Sequence, residues 1–242
     1  MERSRVTANV AIIVPVLDDA AALSNLLAQI SSWQLKPREV IVVSGQPEPA
    51  LDALCAQHGC RLINMPASRG AQLDRGASEA QAAVLWFLHA DASAPANGLT
   101  SITSALARHA ESGCFRFQFQ GRPIWYKNLL KWLIAMRIRL GGVPYGDQGI
   151  FALREVYLAC GGFPHQPLFE EVRLIKRFKR RGTFRVLSAP MAVSTRRWDR
   201  DGWWARSWRN RWLALCYLCG MPAERLAGSY RRTDNAENRI ET

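Results

Sequence analysis

Two carboxylates stand side by side at Glu170-Glu171, just before the run Val172-Arg173-Leu174. At a helix start such a pair is stabilised by the helix dipole and needs no further reason. As chemistry, one of them would have to reach an acceptor hydroxyl and take its proton. His89-Ala90-Asp91 follows the apolar run 84–88. Residues i and i+2 of an extended chain point the same way, so this imidazole and carboxylate can share one cleft. Beside a diphosphate they would suit Mg²⁺ or Mn²⁺, which often take one or two protein ligands and phosphate oxygens for the rest. Asp91 as the cap of a helix starting near Pro95 is the competing reading. Tyr145-Gly146-Asp147-Gln148-Gly149 sets two glycines around an acid and an amide, either a plain turn or the wall of a pocket. Asp18-Asp19 ends an apolar run, where it can accept from a base or ribose or cap the next helix. Arg196-Arg197-Trp198 offers two guanidiniums for phosphate oxygens, or forms a solvated basic edge. Cys216 and Cys219 have C-x-x-C spacing but no second pair, and zinc needs four ligands, so they read as core packing on a helix.

The elements that must hold these residues alternate. Apolar runs at 10–16, 40–43, 61–65 and 84–88 read as buried strands, and helical spacing separates them. That pattern predicts a parallel sheet covered on both faces, with ligands bound beyond the carboxyl ends of the strands. Residues 114–119 alternate aromatic with polar, as an antiparallel or edge strand would. Helices are predicted at 123–140, 168–181, 203–218 and 222–231, with a short strand at 149–153. Neither an internal repeat nor a low-complexity linker interrupts the chain, which reads as a single domain over 1–242 with a C-terminal helical elaboration.

Composition is that of a folded protein: 242 residues, 48% hydrophobic and 21% charged. The net charge of +12 is unevenly placed. Residues 1–120 hold 9 basic and 10 acidic side chains, while 121–242 hold 23 and 10, together with seven of the nine tryptophans. A half so rich in Arg and Trp calls for an anionic partner: phosphate groups, a membrane surface or nucleic acid. No uncharged apolar run approaches the roughly 18 residues of a spanning helix, and the N-terminus lacks a cleavage signature. Cytoplasmic placement with reduced thiols is the expectation.

The order of the blocks is more specific than any block alone. VPVLDDA, EVIVVS, ASRGAQLDRGA, LWFLHADAS, CFRF, YGDQGIFALR, GGFPHQPLFEEVRL and TRRW, from about Val10 to Tyr230, resemble the family 2 glycosyltransferases of GT-A fold. The resemblance is nearest to the small arsenosugar-biosynthesis-type bacterial subfamily. It implies an α/β fold, a Rossmann-like three-layer sandwich with a mostly parallel central sheet. It also implies a nucleotide-sugar-binding half (1–120) and an acceptor-side half (121–242). The activity implied is inverting, metal-dependent transfer of a sugar from a nucleotide-diphosphate sugar to a hydroxyl acceptor.

Position by position, the resemblance implies that Pro15, Asp18 and Asp19 hold the nucleotide. Arg69, Gln72 and Asp74 would face the diphosphate. His89 and Asp91 stand at the metal motif, with Asp91 the retained carboxylate for Mg²⁺ or Mn²⁺. Asp147 and Gln148 match the acceptor-side loop, and Glu170 and Glu171 the acid pair whose second member is the expected base. Arg196, Arg197 and Trp198 would close over the diphosphate. Ser44 stands where relatives usually carry an Asp that contacts the nucleotide, and Glu171 replaces a commoner Asp. Two other readings stay open: a membrane-surface transferase acting on a lipid phosphate, with amphipathic stretches 123–140 and 203–218 peripheral to an anionic membrane, or a non-catalytic basic module on a decayed scaffold. In the first, the alternative for those helices is that they pack on the sheet while their arginines reach outward. Nucleic acid is disfavoured, because acids at 91, 147, 170 and 171 would repel its phosphates.

Overall fold

The computed structural model describes residues 7–228. Strands β1 (Thr7–Val16), β2 (Lys36–Ser44), β3 (Arg61–Asn64) and β4 (Val84–Phe87) alternate with helices α1 (Ala20–Ser32), α2 (Pro49–His58) and α3 (Arg69–Glu79). There follow α4 (Gly98–Ala107), β5 (Ser112–Phe119), α5 (Trp125–Arg139), β6 (Phe151–Leu153) and α6 (Arg154–Ala159). The chain continues through α7 (Glu170–Arg180), β7 (Phe184–Val193), α8 (Arg196–Asp201) and α9 (Trp203–Leu218). Residues 223–228 are again helical, and the rest of the helix expected over 222–231 lies outside the described residues.

One seven-stranded sheet, in the order β3-β2-β1-β4-β6-β5-β7, runs through both halves of the chain. All neighbouring pairs are parallel except those made by β6, which is antiparallel to both β4 and β5. Alternate residues of β1 face opposite layers. Val10, Ile12, Val14 and Val16 pack with Leu23, Leu26 and Leu27 of α1, whereas Ala11 and Ile13 pack with Leu73, Ala77, Ile175 and Phe178 of α3 and α7. Burial on both faces is why these strands read as continuous apolar runs.

The strand expected to be antiparallel or an edge is β5, and it is neither simply. It lies inside the sheet, antiparallel to β6 and parallel to β7, which is the edge. Only Ser112 and Gly113 pair with the three-residue β6, so the outer part of β5 has a neighbour on one side alone. That is where its polar positions, Arg116 and Gln118, reach solvent. Pro15 fits the same logic. It pairs with Val43 of β2, while β4 pairs with β1 only as far as Ile13, so its missing N–H interrupts no ladder.

Candidate active site

Strand order reverses between β1 and β4, and the residues that follow those two strands flank the resulting crevice. Asp18 sits there in the left-handed region (φ 51°), which a short polar side chain tolerates, and accepts a hydrogen bond from Gln46 Nε2. Asp19 caps α1, accepting from the backbone N–H of Ala22 at 3.3 Å. Its other oxygen lies 3.8 Å from Arg196 Nη2, so the cap and the basic motif meet across the crevice.

Several side chains expected at the site make hydrogen bonds within the protein itself. Ser44 is buried at the end of β2, donating to the carbonyl of Gln46 and accepting from its N–H. The group displayed at this strand end is Gln46, two residues on. Gln72 is buried too, its amide donating to the carbonyls of Val16 (3.1 Å) and Val43 (2.7 Å) and accepting from Ser68 N–H (3.2 Å). It ties β1 and β2 to the start of α3. Gln148 donates to Phe115 O at 3.0 Å and accepts from Tyr145 N–H at 3.3 Å. Asp74 accepts from Tyr157 Oη at 2.7 Å and lies 3.3 Å from His165 Nε2, joining α3 to the segment after α6. All four are clamps. A spacing argument found the right neighbourhood for them but could not see which way each amide or hydroxyl was spent.

The acids are different. Glu170 and Glu171 begin α7, as an ordinary pair would, but only 2% and 5% of their surface is exposed. Phe169, immediately before them, holds a left-handed backbone (φ 59°), a sterically costly state for an aromatic residue. Its ring stacks on Tyr217 of α9 at 4.9 Å, which fixes the turn from outside. Glu170 Oε1 accepts from Arg69 Nε, while Glu170 Oε2, Glu171 Oε2 and Asp147 Oδ1 are buried without hydrogen-bond partners among the described residues. Burial, with Glu170 adding like charge, holds the Glu171 carboxyl well above the usual carboxylate range. Burial, against the opposing pull of Arg137 and reinforced by Asp91, pushes Asp147 up to about 6.

Asp147 is presented by a 3₁₀ turn, Gly146–Gln148, whose glycines decide its position. At Gly149 φ is 59°, and a Cβ would fall 2.4 Å from Met191 Cε. Gly146 lies against His89, where a Cβ would stand 3.0 Å from Nε2. Burial, with the cations of Arg69 and Arg197 nearby, lowers His89 to about 3, so its ring is neutral. Asp91 neighbours Asp147 and does not begin α4, whose N-cap is Asn97. Arg137, missed as a site residue, belongs to this group. It lies 4.1 Å over the Tyr145 ring with Nε and Nη2 unpartnered. It shares a face with Leu133 and Leu130, one and two turns before it, but only the structure shows that this face turns inward. Trp198, in contrast, packs edge-on to Phe119 at 5.2 Å and extends a small aromatic core.

Among the described residues no three or more His, Cys, Asp or Glu side chains form a metal cage. A separate groove between α4 and β7, edged by Arg108, Arg185 and three serines, holds no carboxylate or histidine and stands apart from these acids.

The fold is shared with solved glycosyltransferases of low sequence identity. Glucosyl-3-phosphoglycerate synthase from Mycobacterium tuberculosis, in a complex with Mn²⁺, UDP and glucosyl-3-phosphoglycerate, aligns with a TM-score of 0.59 at 18% identity, covering 90% of this chain and 81% of that one. The mannosyltransferase PcManGT from Pyrobaculum calidifontis, bound to GDP-Man and Mn²⁺, aligns at 0.58 and 17% identity, covering 86% and 61%. TarS 1–349 from S. aureus aligns at 0.59 and 13% identity over 77% of this chain, which spans only 60% of that protein. No curated protein sequence matches the chain. The sequence family described as Glycosyl transferase family 2 matches residues 11–162, most of the sheet together with His89, Asp91 and Asp147, and the chain belongs to that family.

Proposed function

We propose that the chain transfers a sugar, with inversion, from a nucleotide-diphosphate sugar to a hydroxyl acceptor. The observation that carries this reading is the set of buried, unpartnered carboxylate oxygens on Asp147, Glu170 and Glu171. A folded chain leaves such atoms unsatisfied where a substrate is to satisfy them. Asp18, Asp19 and Gln46 line the nucleotide side of the crevice. Arg69, Arg196 and Arg197 supply positive charge for the diphosphate. Glu171, whose raised proton affinity suits a base, takes the hydroxyl proton as the acceptor oxygen attacks the anomeric carbon from the face opposite the diphosphate. Glu170, held by Arg69, positions α7 and links the base to the donor side.

A divalent cation fits this donor set. Asp91 gives a hard carboxylate oxygen, Asp147 Oδ1 is an orphaned one, and the neutral His89 keeps a lone pair. Mg²⁺ or Mn²⁺ would be held by Asp91 with His89 beside it, completing its shell with phosphate oxygens and neutralising charge on the leaving diphosphate. The Mn²⁺ complexes of the structurally similar synthase and mannosyltransferase support this. The resemblance to the arsenosugar-biosynthesis-type subfamily supports a small-molecule acceptor. No helix among the described residues is long and apolar enough to cross a membrane. Thermal unfolding with UDP, GDP and their sugars, with and without Mn²⁺, tests the reading, because a ligand that binds the native state stabilises it by mass action. A chain that no nucleotide stabilises under any of these conditions is not a transferase of this kind.

A further inference from the structure

Helices α5 and α9 are amphipathic in the wrong direction for a globular core. On α9 the outward positions are Trp204, Trp208, Trp212, Leu215 and Leu218, spaced three or four apart and therefore one stripe. Trp208 is 71% exposed, while Arg206 on the opposite face is 2% exposed. On α5 the outward stripe is Trp125, Leu129 and Trp132, continued by Leu140 just past its end. The rings of Trp125 and Trp204 lie 6.2 Å apart, so the two stripes join into one surface. Neither helix contains an acidic residue, and the exposed Arg139 and Arg211 lie within the stripes, with Lys131 on the flank of the α5 stripe.

We infer that this joined face of α5 and α9 docks on the surface of an anionic lipid bilayer. Tryptophan is the side chain best suited to the bilayer interface, with an apolar ring and one N–H donor. Lysine and arginine at the same level find lipid phosphates there. A second copy of the chain is the poorer occupant, since it would set one acid-free basic helix pair against another. The inference goes beyond sugar transfer and does not depend on it. The inner side of α9 carries Tyr217 against Phe169, so a docked face would lie directly behind the acid pair.

Co-sedimentation of the full chain with vesicles of phosphatidylcholine alone, and of phosphatidylcholine mixed with phosphatidylglycerol, tests this without any sugar donor. The expected result is partitioning to the anionic vesicles, with tryptophan emission shifted to the blue and quenched by brominated lipid. Partitioning should fall at least about tenfold in W204S/W208S/W212S and in K131E/R139E/R211E, because burial of aromatic area and attraction to anionic headgroups both contribute. These side chains lie outside the core, and the unfolding temperature of each variant checks that it still folds. Absence of binding at low ionic strength overturns the inference. So does binding to which the tryptophan variant is indifferent, or light scattering that finds a wild-type dimer and a monomeric tryptophan variant. Brominated-lipid quenching of the wild type decides the matter if a variant does not fold.

Discussion

The two ends of this molecule invert each other. At the carboxyl ends of the strands, charged groups are inside: Glu170 and Glu171 are buried, each with an unpartnered oxygen, half-buried Asp147 turns one such oxygen inward, and Arg137 lies near Asp147. On α5 and α9, large apolar rings are outside, and the one fully buried charge, Arg206, is locked to Asp201 at 2.6 Å. Both arrangements cost stability in the isolated chain, one through desolvated charge and the other through hydrated apolar surface. The lesson lies in what each lacks. Asp201 gathers Arg200, Arg206 and Arg209 into a structural corner between α8 and α9. The acids at the strand ends and the tryptophans on the outer helices are each missing a partner, and each points to what would supply it.

The largest effect is expected at Glu171. If it is the base, Glu171→Gln should lower turnover about a hundredfold to ten-thousandfold while donor affinity barely changes. Glu171→Asp should keep part of the rate, since only reach is lost. Steady-state rates and donor titration check both, and a near-normal Glu171→Gln beside a dead Asp147→Asn would move the base to Asp147. Asp91→Ala should remove the Mn²⁺-dependent part of nucleotide stabilisation and leave the fold intact, because the residue follows a strand end and does not build the core. Full retention of that metal dependence removes Asp91 from the site. Asp201→Ala should cost about 3–5 kcal/mol by removing one member of the buried Asp201–Arg206 ion pair, which denaturant unfolding measures directly.

A smaller effect has a definite sign. Asp147 is raised to about 6 and Glu171 is raised as well, so each binds its proton more tightly folded than unfolded. Stability from this source is complete below the ordinary carboxylate values and is lost as pH rises through the folded ones. The unliganded chain should therefore lose stability between mildly acidic and mildly basic pH, while turnover rises over the same range as the base ionises. Glu171→Gln should flatten the stability loss and raise the unfolding temperature at basic pH by a few degrees, at about 2–4 °C per kcal/mol for a chain of this size. The smallest effect is expected at Trp208. Trp208→Ser should change stability by no more than about 0.5 kcal/mol, in contrast with Asp201→Ala nearby. A large loss there would mean that the outer stripe is packed against something in the free chain.

The sequence alone determined the parallel sheet, because strands buried on both faces must be apolar without interruption, and 10–16, 40–43 and 84–88 are. It set the chemistry-bearing blocks after strands or at helix starts, and the structure brings Asp19, His89, Asp147 and Glu170 to the carboxyl ends of the strands beside one another's charges. The helix predicted over 203–218 is α9, with the same bounds. Side-chain commitment was not legible. Ser44, Gln72, Asp74 and Gln148 look like binding residues in one dimension, yet their hydrogen bonds close onto backbone carbonyls and neighbours far along the chain. Nor could spacing tell which face of 123–140 and 203–218 turns inward. Both helices carry Trp and Arg on interleaved faces, and the alternative in which rings pack while arginines reach outward does not hold along α9: Asp201, only five residues away, draws Arg206 in, and Phe169, far along the chain, takes Tyr217 as its inner partner. Cys219, read as core packing, is exposed at the end of α9, while Cys216 is half-buried. Periodicity fixes which residues share a face, because that follows from local geometry. Which face is buried depends on what the rest of the chain brings against it, and only the tertiary structure decides that.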